Sequence, residues 1–186
     1  MARVINNLLT RGLSGAVGGL VFRQVQEQTI VSAAPNKTAA PASPRQQAHR
    51  RRFFEAQCYA TGQMQDPAAK ALYATGIDAR RTSARVVAIA DFMNPPAVVA
   101  ADLAGYHGRP GDIISAWATD DFAVTALTVR LVSAAGVLLE EGPATLLPDG
   151  SWRYTLGQPH PASAGTQVHL TAFDRPGNAG SRTYLL

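Results

Sequence analysis

The clearest rhythm in the chain is a two-residue alternation of apolar and polar positions in its second half. Leu127, Val129 and Leu131 carry it, as do Trp152, Tyr154 and Leu156, and again Val168, Leu170 and Ala172. A β-strand sends successive side chains to opposite faces, so each run predicts a half-buried strand. The predicted strands are Val98 to Leu103, Asp112 to Thr119, Ala126 to Ser133, Val137 to Glu141, Ala144 to Leu147, Trp152 to Leu156, Gln167 to Phe173 and Arg182 to Leu186. About seven or eight short strands separated by Gly, Pro and Asp point to an antiparallel β-sandwich.

Upstream the period changes. Ser43 suits a helix N-cap, Pro44 the first helical position and Gln46 the reciprocal capping-box position, which predicts a helix running to about Gln65. Phe53, Ala56, Ala60 and Met64 recur at helical spacing, with Tyr59 close by, as its buried stripe. Asp66-Pro67 repeats the cap-and-proline signal for a short helix ending near Gly76. A third helix, from about Thr82 to Met93, is expected to bury Val86, Ile89 and Phe92 or their neighbours. Asn94-Pro95-Pro96 stops it and marks a domain boundary.

Nearer the start, GGLVFRQVQEQTIVSA reads as a β-hairpin, with strands at about Leu20 to Val25 and Thr29 to Ser32 around a turn at Gln26 to Gln28. A two-stranded hairpin is marginal in water and must pack on something. PNKTAAPASP, from Pro35 to Pro44, is an extended linker. The chain therefore reads as an α+β two-part chain: an arm and hairpin over residues 1–34, a Pro-rich linker over 35–43, a small helical segment over 44–94 and a sandwich over 95–186.

Charge adds an asymmetry that the hydrophobic pattern does not show. Up to Arg52 there are eight Lys or Arg residues against one acid, Glu27, whereas from Pro95 onward eight acids face five basic residues. A basic head and an acidic tail suit head-to-tail association of copies, which generates rings or filaments. Arg45, Arg50, Arg51 and Arg52 form the basic patch, placed where the helix dipole disfavours cations. An acidic protein partner is the favoured ligand for it. Nucleic acid is less favoured, because no aromatics interleave with the arginines and no binding motif is present. No apolar run approaches a membrane span, and Arg11 interrupts the apolar stretch that a signal peptide requires. The expected location is therefore the cytoplasm, or an extracellular or virion assembly reached by a non-classical route.

Candidate chemistry is sparse. The four histidines, His49, His107, His160 and His169, lack metal-ligand spacing and read as solvated or incidental. Cys58 reads as a small buried helix residue, and Trp117 and Trp152 as sandwich core. Gly15, Gly18 and Gly19 match no phosphate-cradling motif and are assigned to flexible or closely packed backbone. Asp120, Asp121, Asp174 and Asn178 fall at one end of the sandwich, where calcium is conceivable. Three carboxylates fall short of the six to eight oxygens that ion takes, so the acids read as turn formers. The expectation is a chain without catalysis and without a cofactor.

The run GDIISAWATDDFAVTALTVRLVSAAGVLLEEGPATL, then SWRYTL and VHLTAFDRPGNAGSRTYLL, resembles the bacterial immunoglobulin-like and fibronectin-type-III-like repeats of surface and phage proteins. Its marks are the Ala-Thr-Asp-Asp loop and the Ala-x-Asp-x-x-Gly-Asn turn, and it implies an Ig-like sandwich acting as spacer, adhesin or assembly module. LSGAVGGLVFR, TIVSAAP and SPRQQAHRRRFFEA are similar to a group of bacterial proteins with a Gly-rich start, a β-hairpin, a Pro-rich link and a Gln- and Arg-rich helix opening. That likeness carries over no functional residue, and the chain departs from the pattern at Gln26 to Gln28, where those proteins tend to place Gly or Asn. The leading expectation is a structural subunit that assembles with itself into a filament, tube or virion-like particle. Its hairpin residues Leu20, Phe22 and Ile30, or the opposite set Val21, Val25 and Val31, add strands to a neighbour. The alternatives are a monomeric binding or adhesion module and a basic nucleic-acid-associated protein.

Overall fold

The computed structural model describes residues 2–4, 12–25, 28–34, 41–160 and 164–186. The chain forms two compact units, Met1–Ser43 and Pro44–Leu186.

In the first unit the expected strands form, as β3 (Leu20–Val25) and β4 (Gln28–Ala33), but they are not an isolated hairpin. Two further strands, β1 (Ala2–Val4) and β2 (Gly15–Val17), flank them in an antiparallel sheet of order β1-β4-β3-β2. The turn from β2 to β3 is made by Gly18 and Gly19, with φ of 56° and 80°. Positive φ at both central residues is what a type I′ hairpin turn requires, so these glycines build a tight turn and are not flexible backbone. The predicted turn residues 26 and 27, and the linker over 35–40, lie outside the described residues.

The second unit opens with α1 (Pro44–Gln65), α2 (Pro67–Ala74) and α3 (Ala84–Met93). The Asp66 carboxylate caps α2 by accepting from the Ala68 N–H at 3.0 Å, and the Ser83 hydroxyl accepts from the Val86 N–H at the start of α3. The helices share a core of Ala60, Tyr73, Ala84, Val87 and Ala88. Ala56 and Ala60 are fully buried because small side chains let α1 and α3 approach closely, while Phe53 and Phe54 are exposed. The reason is length: α1 runs roughly 33 Å against about 15 Å for α3, so its first turns have no helical partner. On α3 the buried set is Ala84, Val87, Ala88 and Asp91, and Val86 points outward, one position away from the expectation. Cys58 likewise lies on the open side of α1 and is exposed, against the expected burial.

Two four-stranded antiparallel sheets follow. One has the order β5-β6-β10-β9 and the other β12-β11-β7-β8. Their strands are β5 (Ala97–Asp102), β6 (Ile113–Thr119), β7 (Val124–Val132), β8 (Leu138–Pro143), β9 (Thr145–Leu146), β10 (Trp152–Thr155), β11 (Gln167–Asp174) and β12 (Ala179–Leu185). Leu127, Val129 and Leu131 of β7 and Val168, Leu170 and Ala172 of β11 meet Ile114, Ala116, Trp152 and Tyr154 in one core. This is the sandwich that the alternation predicts. Trp152 is opposite Ala116 in register, a large residue over a small one. The parity that turns Ala116 inward turns Trp117 outward, and Trp117 is 41% exposed where core was expected.

The helices and the sandwich are not separate modules. Phe122, in the loop between β6 and β7, packs on the helical core, its ring 4.8 Å from that of Tyr73. The break at Asn94 to Pro96 thus separates helices from strands within one compact unit.

Two contacts close the sandwich. A Cβ on Gly180 of β12 would fall on the Pro96 carbonyl oxygen at the start of β5, and Arg182 donates to the Val99 carbonyl at 2.5 Å. At the other end Glu140 accepts from the Tyr154 hydroxyl at 2.8 Å, the Gly157 N–H at 2.8 Å and the Gln158 N–H at 3.3 Å. It also meets Nε2 of His160 at 2.5 Å. His160 is buried, not solvated. Burial opposes ionisation of Glu140, but the donors from Gly157, Tyr154, His160 and Gln158 outweigh it and hold the carboxyl below its ordinary value.

Gly180→Ala and Glu140→Gln test these contacts, with Gly62→Ala as a control away from both. Gly180→Ala is expected to lose about 1 to 3 kcal/mol in denaturant unfolding, because backbone must move. Gly62→Ala, on α1 with nothing within 4 Å of the added methyl, should gain up to about 1 kcal/mol. Glu140→Gln should cost about 1 to 3 kcal/mol at neutral pH. A depressed folded-state pKa gives stability that is present above the ordinary Glu value of 4.5 and lost as pH falls through the folded value. The gap in melting temperature between wild type and Glu140→Gln should therefore narrow in acid below that pH.

Candidate functional site

The register of the first unit settles which apolar residues share a face. Phe22 is opposite Val31 and Leu20 opposite Ala33, while Arg23 is opposite Ile30. Directly opposite residues in an antiparallel pair lie on the same side of the sheet. Leu20, Phe22 and Val31 therefore form one face, with Val17 across from Leu20. Val21, Val25 and Ile30 form the other, together with Arg23. Ile30 and Val31 thus exchange places relative to the expected sets, as a one-residue difference in register dictates. The outer edges of the hairpin are taken, because β1 pairs with β4 and β2 with β3. Val17, Leu20 and Val25 are exposed, and Thr29, bonded to Gln24, is the one buried residue of this unit among those described.

The basic patch is less continuous than its sequence suggests. Arg45 and Arg50 are exposed. Arg51 pairs with Glu55 one turn on, at 3.1 Å. Arg52 turns across to α3, where it donates to the Phe92 carbonyl and to Asn178 Oδ1, both at 3.4 Å. A cation at the C-terminal carbonyls of α3 is on the favourable end of that helix dipole.

The most concentrated chemistry lies where α3 meets the sandwich. Asp91 of α3, Asp120 of the β6–β7 loop and Asp174 at the end of β11 each place one carboxylate oxygen within 4.8 Å of the other two. Asp120 and Asp174 come together as expected, but Asp121 does not join them. It is exposed, and its carboxylate accepts from the Asn94 side chain at 2.6 Å. The third member, Asp91, is not among the residues the sequence singles out, since an acid inside an apolar helix reads as one polar position among others. Its spacing of three from Ala88 and four from Val87, both core residues, was the available signal.

Each acid of the cluster is held by donors. The Tyr73 hydroxyl donates to Asp91 Oδ2 at 2.6 Å, and the Tyr59 hydroxyl is 2.7 Å from that of Tyr73. With the Tyr73 proton on Asp91, Tyr59 donates to Tyr73. Asp120 Oδ2 accepts the Phe122 and Ala123 N–H groups, both at 3.1 Å. Asn178 donates its N–H to Asp174 Oδ1 and its side-chain amide to Oδ2, both at 2.6 Å. Asp91 has no exposed surface, and its Oδ1, like that of Asp120, is buried without a hydrogen-bond partner.

Burial pushes the Asp91 carboxyl up to about 7, with the Tyr73 hydrogen bond pulling down and the nearby Asp120 and Asp174 charges pushing up. The same burial, together with the Asp91 charge, holds the Tyr73 hydroxyl well above the ordinary tyrosine range. The Arg175 guanidinium lies 5.9 Å from the centre of the Tyr73 ring.

No family model and no curated protein matches the chain. Among solved structures it is similar to CopC from Methylosinus trichosporium OB3b, at 17% identity and a TM-score of 0.34, over 48% of this chain and 89% of that one. It is also similar to a conjugative transposon lipoprotein from Bacteroides eggerthii DSM 20697, at 11% identity and a TM-score of 0.27, over 49% of this chain and 93% of that one. Likenesses this distant carry no functional argument. Among the described residues no helix is long and apolar enough to cross a membrane.

The tyrosine relay makes unequal demands on its two members. Tyr73→Phe leaves both Asp91 oxygens without a donor and should cost about 1 to 3 kcal/mol in denaturant unfolding. Tyr59→Phe, at the half-buried end, should cost clearly less. Equal losses would show that the hydrogen bond to Asp91 is worth no more than the one between the two hydroxyls.

Proposed function

We propose that the chain is a non-enzymatic structural subunit that associates with copies of itself through its N-terminal sheet. The observation that carries this reading is that the described residues of the first unit form strands but no core. Among its described residues none of the apolar ones is buried, and the apolar face of Leu20, Phe22 and Val31 with Val17 lies on a sheet of four short strands. A sheet of this size gains independent stability only when one face is covered. A second copy of the chain is the occupant. Its sandwich half carries the acidic excess that matches the basic excess of the first 52 residues, and such a heterologous contact repeats from copy to copy.

Because both hairpin edges are already paired within the unit, the contact is made by the face of the sheet and not by adding β3 or β4 to a neighbour. The finer likeness of the sandwich to immunoglobulin-like repeats fits the same role, since such modules serve as rigid building blocks. The basic arginines contribute long-range attraction that salt weakens.

Light scattering coupled to size-exclusion chromatography should show mass rising with protein concentration and falling as salt is raised. Phe22→Asp and Val31→Asp should each shift the protein toward monomer while the melting of the second unit stays within about 0.5 kcal/mol, because contacts within separate compact units are nearly additive. A wild-type protein that remains monomeric at high concentration and low salt would overturn the reading.

A further inference from the structure

We propose that Asp91, Asp120 and Asp174 bind a hard divalent cation of calcium size, which ties α3 to the sandwich. Three carboxylates from three separate elements converge, and a set made only of oxygen donors selects calcium or magnesium over softer metals. Oxygens within 4.8 Å of one another lie within about 2.8 Å of a common point, so a shift of a few tenths of an ångström brings all three to a calcium–oxygen distance of about 2.4 Å. A magnesium ion, at about 2.0 to 2.1 Å, would need them drawn closer.

The partners of each carboxylate point the same way. Tyr73 occupies Oδ2 of Asp91, and the Phe122 and Ala123 N–H groups occupy Oδ2 of Asp120. On both residues Oδ1 is left buried and unpartnered. Donors on the outer oxygens orient the acids and favour their charged forms, as outer-sphere partners do around metal ligands. On Asp174 both oxygens accept from Asn178, and each keeps a second lone pair that can face a cation.

A proton shared between Asp91 and Asp120 is the competing arrangement. It would satisfy two oxygens but leave Asp174 facing the remaining negative charge at close range. The nearby cations do not neutralise the group. Arg52 is spent on the Phe92 carbonyl and Asn178 Oδ1, Arg81 on Asp78 and the Asp121 carbonyl, and Arg175 lies over the Tyr73 ring. A cation with water completing its shell relieves all three acids together, and it supplies the six to eight oxygens that three carboxylates alone do not.

The test uses the full chain after exhaustive dialysis against a chelator. Calcium chloride should raise the melting temperature saturably, by roughly 5 to 10 °C at a hundredfold excess over the dissociation constant, and magnesium chloride should do less at equal concentration. Terbium, excited through Tyr73 and Tyr59, should luminesce at one site per chain and be displaced by calcium. Asp120→Asn, at the more open member of the cluster, should lose the terbium signal and the calcium response while the protein stays folded. Asp91→Asn should do the same wherever it folds. A melting temperature indifferent to calcium overturns the proposal. So does terbium luminescence that survives Asp120→Asn. A calcium-indifferent protein whose stability falls as pH rises through 7 identifies the shared proton in place of the metal.

Discussion

The second unit depends on one buried polar junction. Asp91 sits on the inner face of α3 with no exposed surface, and an ionised carboxylate in such a place is tolerable only if its surroundings answer its charge. Tyr73 answers from α2, and Asp120 and Asp174 approach from the sandwich. Helix–helix packing, the seating of the β6–β7 loop and the end of β11 all converge on this carboxyl group. Phe122 follows from the same geometry. Two residues past Asp120, whose carboxylate holds its N–H, it is delivered onto the Tyr73 ring. The loop between two sandwich strands thereby becomes part of the helical core.

That junction explains why one stretch of sequence contains two hydrophobic clusters but one compact unit. The helical cluster is small, with alanine as its main currency: Ala60, Ala84 and Ala88 beside Val87 and Tyr73. Each alanine buries little apolar area, and the hydrophobic term scales with area. Such a trio of helices leans on the sandwich for Phe122, for the Asn178 amide that meets the Asp91 and Phe92 carbonyls, and for the acids around Asp91. The sandwich, by contrast, buries Leu127, Leu131, Leu170, Val129, Val168 and Trp152 in a single cluster. Its core is built from its own strands, whereas the helical core is completed by Phe122 from the sandwich.

What could be read from the sequence follows the range of the interactions involved. Asp66 announced α2 and Ser43-Pro44 the start of α1 because a cap and its helix lie within a few residues of each other. The alternation in β7, β10 and β11 is also local, and it placed the sandwich. The Gly18-Gly19 turn is equally local, and its signal is a pair of glycines between Val17 and Leu20 that suits the centre of a two-residue hairpin better than flexible backbone. Long-range facts were not legible. Only pairing with β4 makes Ala2–Val4 a strand. The side of β6 that carries Trp117 is set by its register against β10 and β5, and the convergence of Asp91 with Asp120 and Asp174 is set by packing of elements far apart in the chain. The residues most easily misread were polar groups whose partners are distant: His160, matched by Glu140 twenty residues away, and Asp91.

The two units solve the problem of burial in opposite ways, and that contrast bears on function. In the second unit apolar faces meet within the chain, and even the close approach of β5 to β12 is accommodated by a glycine. In the first unit four strands pair with one another, while among the described residues no apolar side chain is buried. Backbone hydrogen bonds alone contribute little net stability, since they replace bonds to water. On the proposed reading, such a sheet takes its second layer from another copy of the chain. Had the hairpin kept a free edge, strand addition would have been the natural mode of contact. With β1 and β2 occupying those edges, the open backbone is confined to two three-residue strands, and apolar area is the larger unsatisfied quantity. The surface that Leu20, Phe22 and Val31 share is where a neighbouring molecule would lower the free energy most.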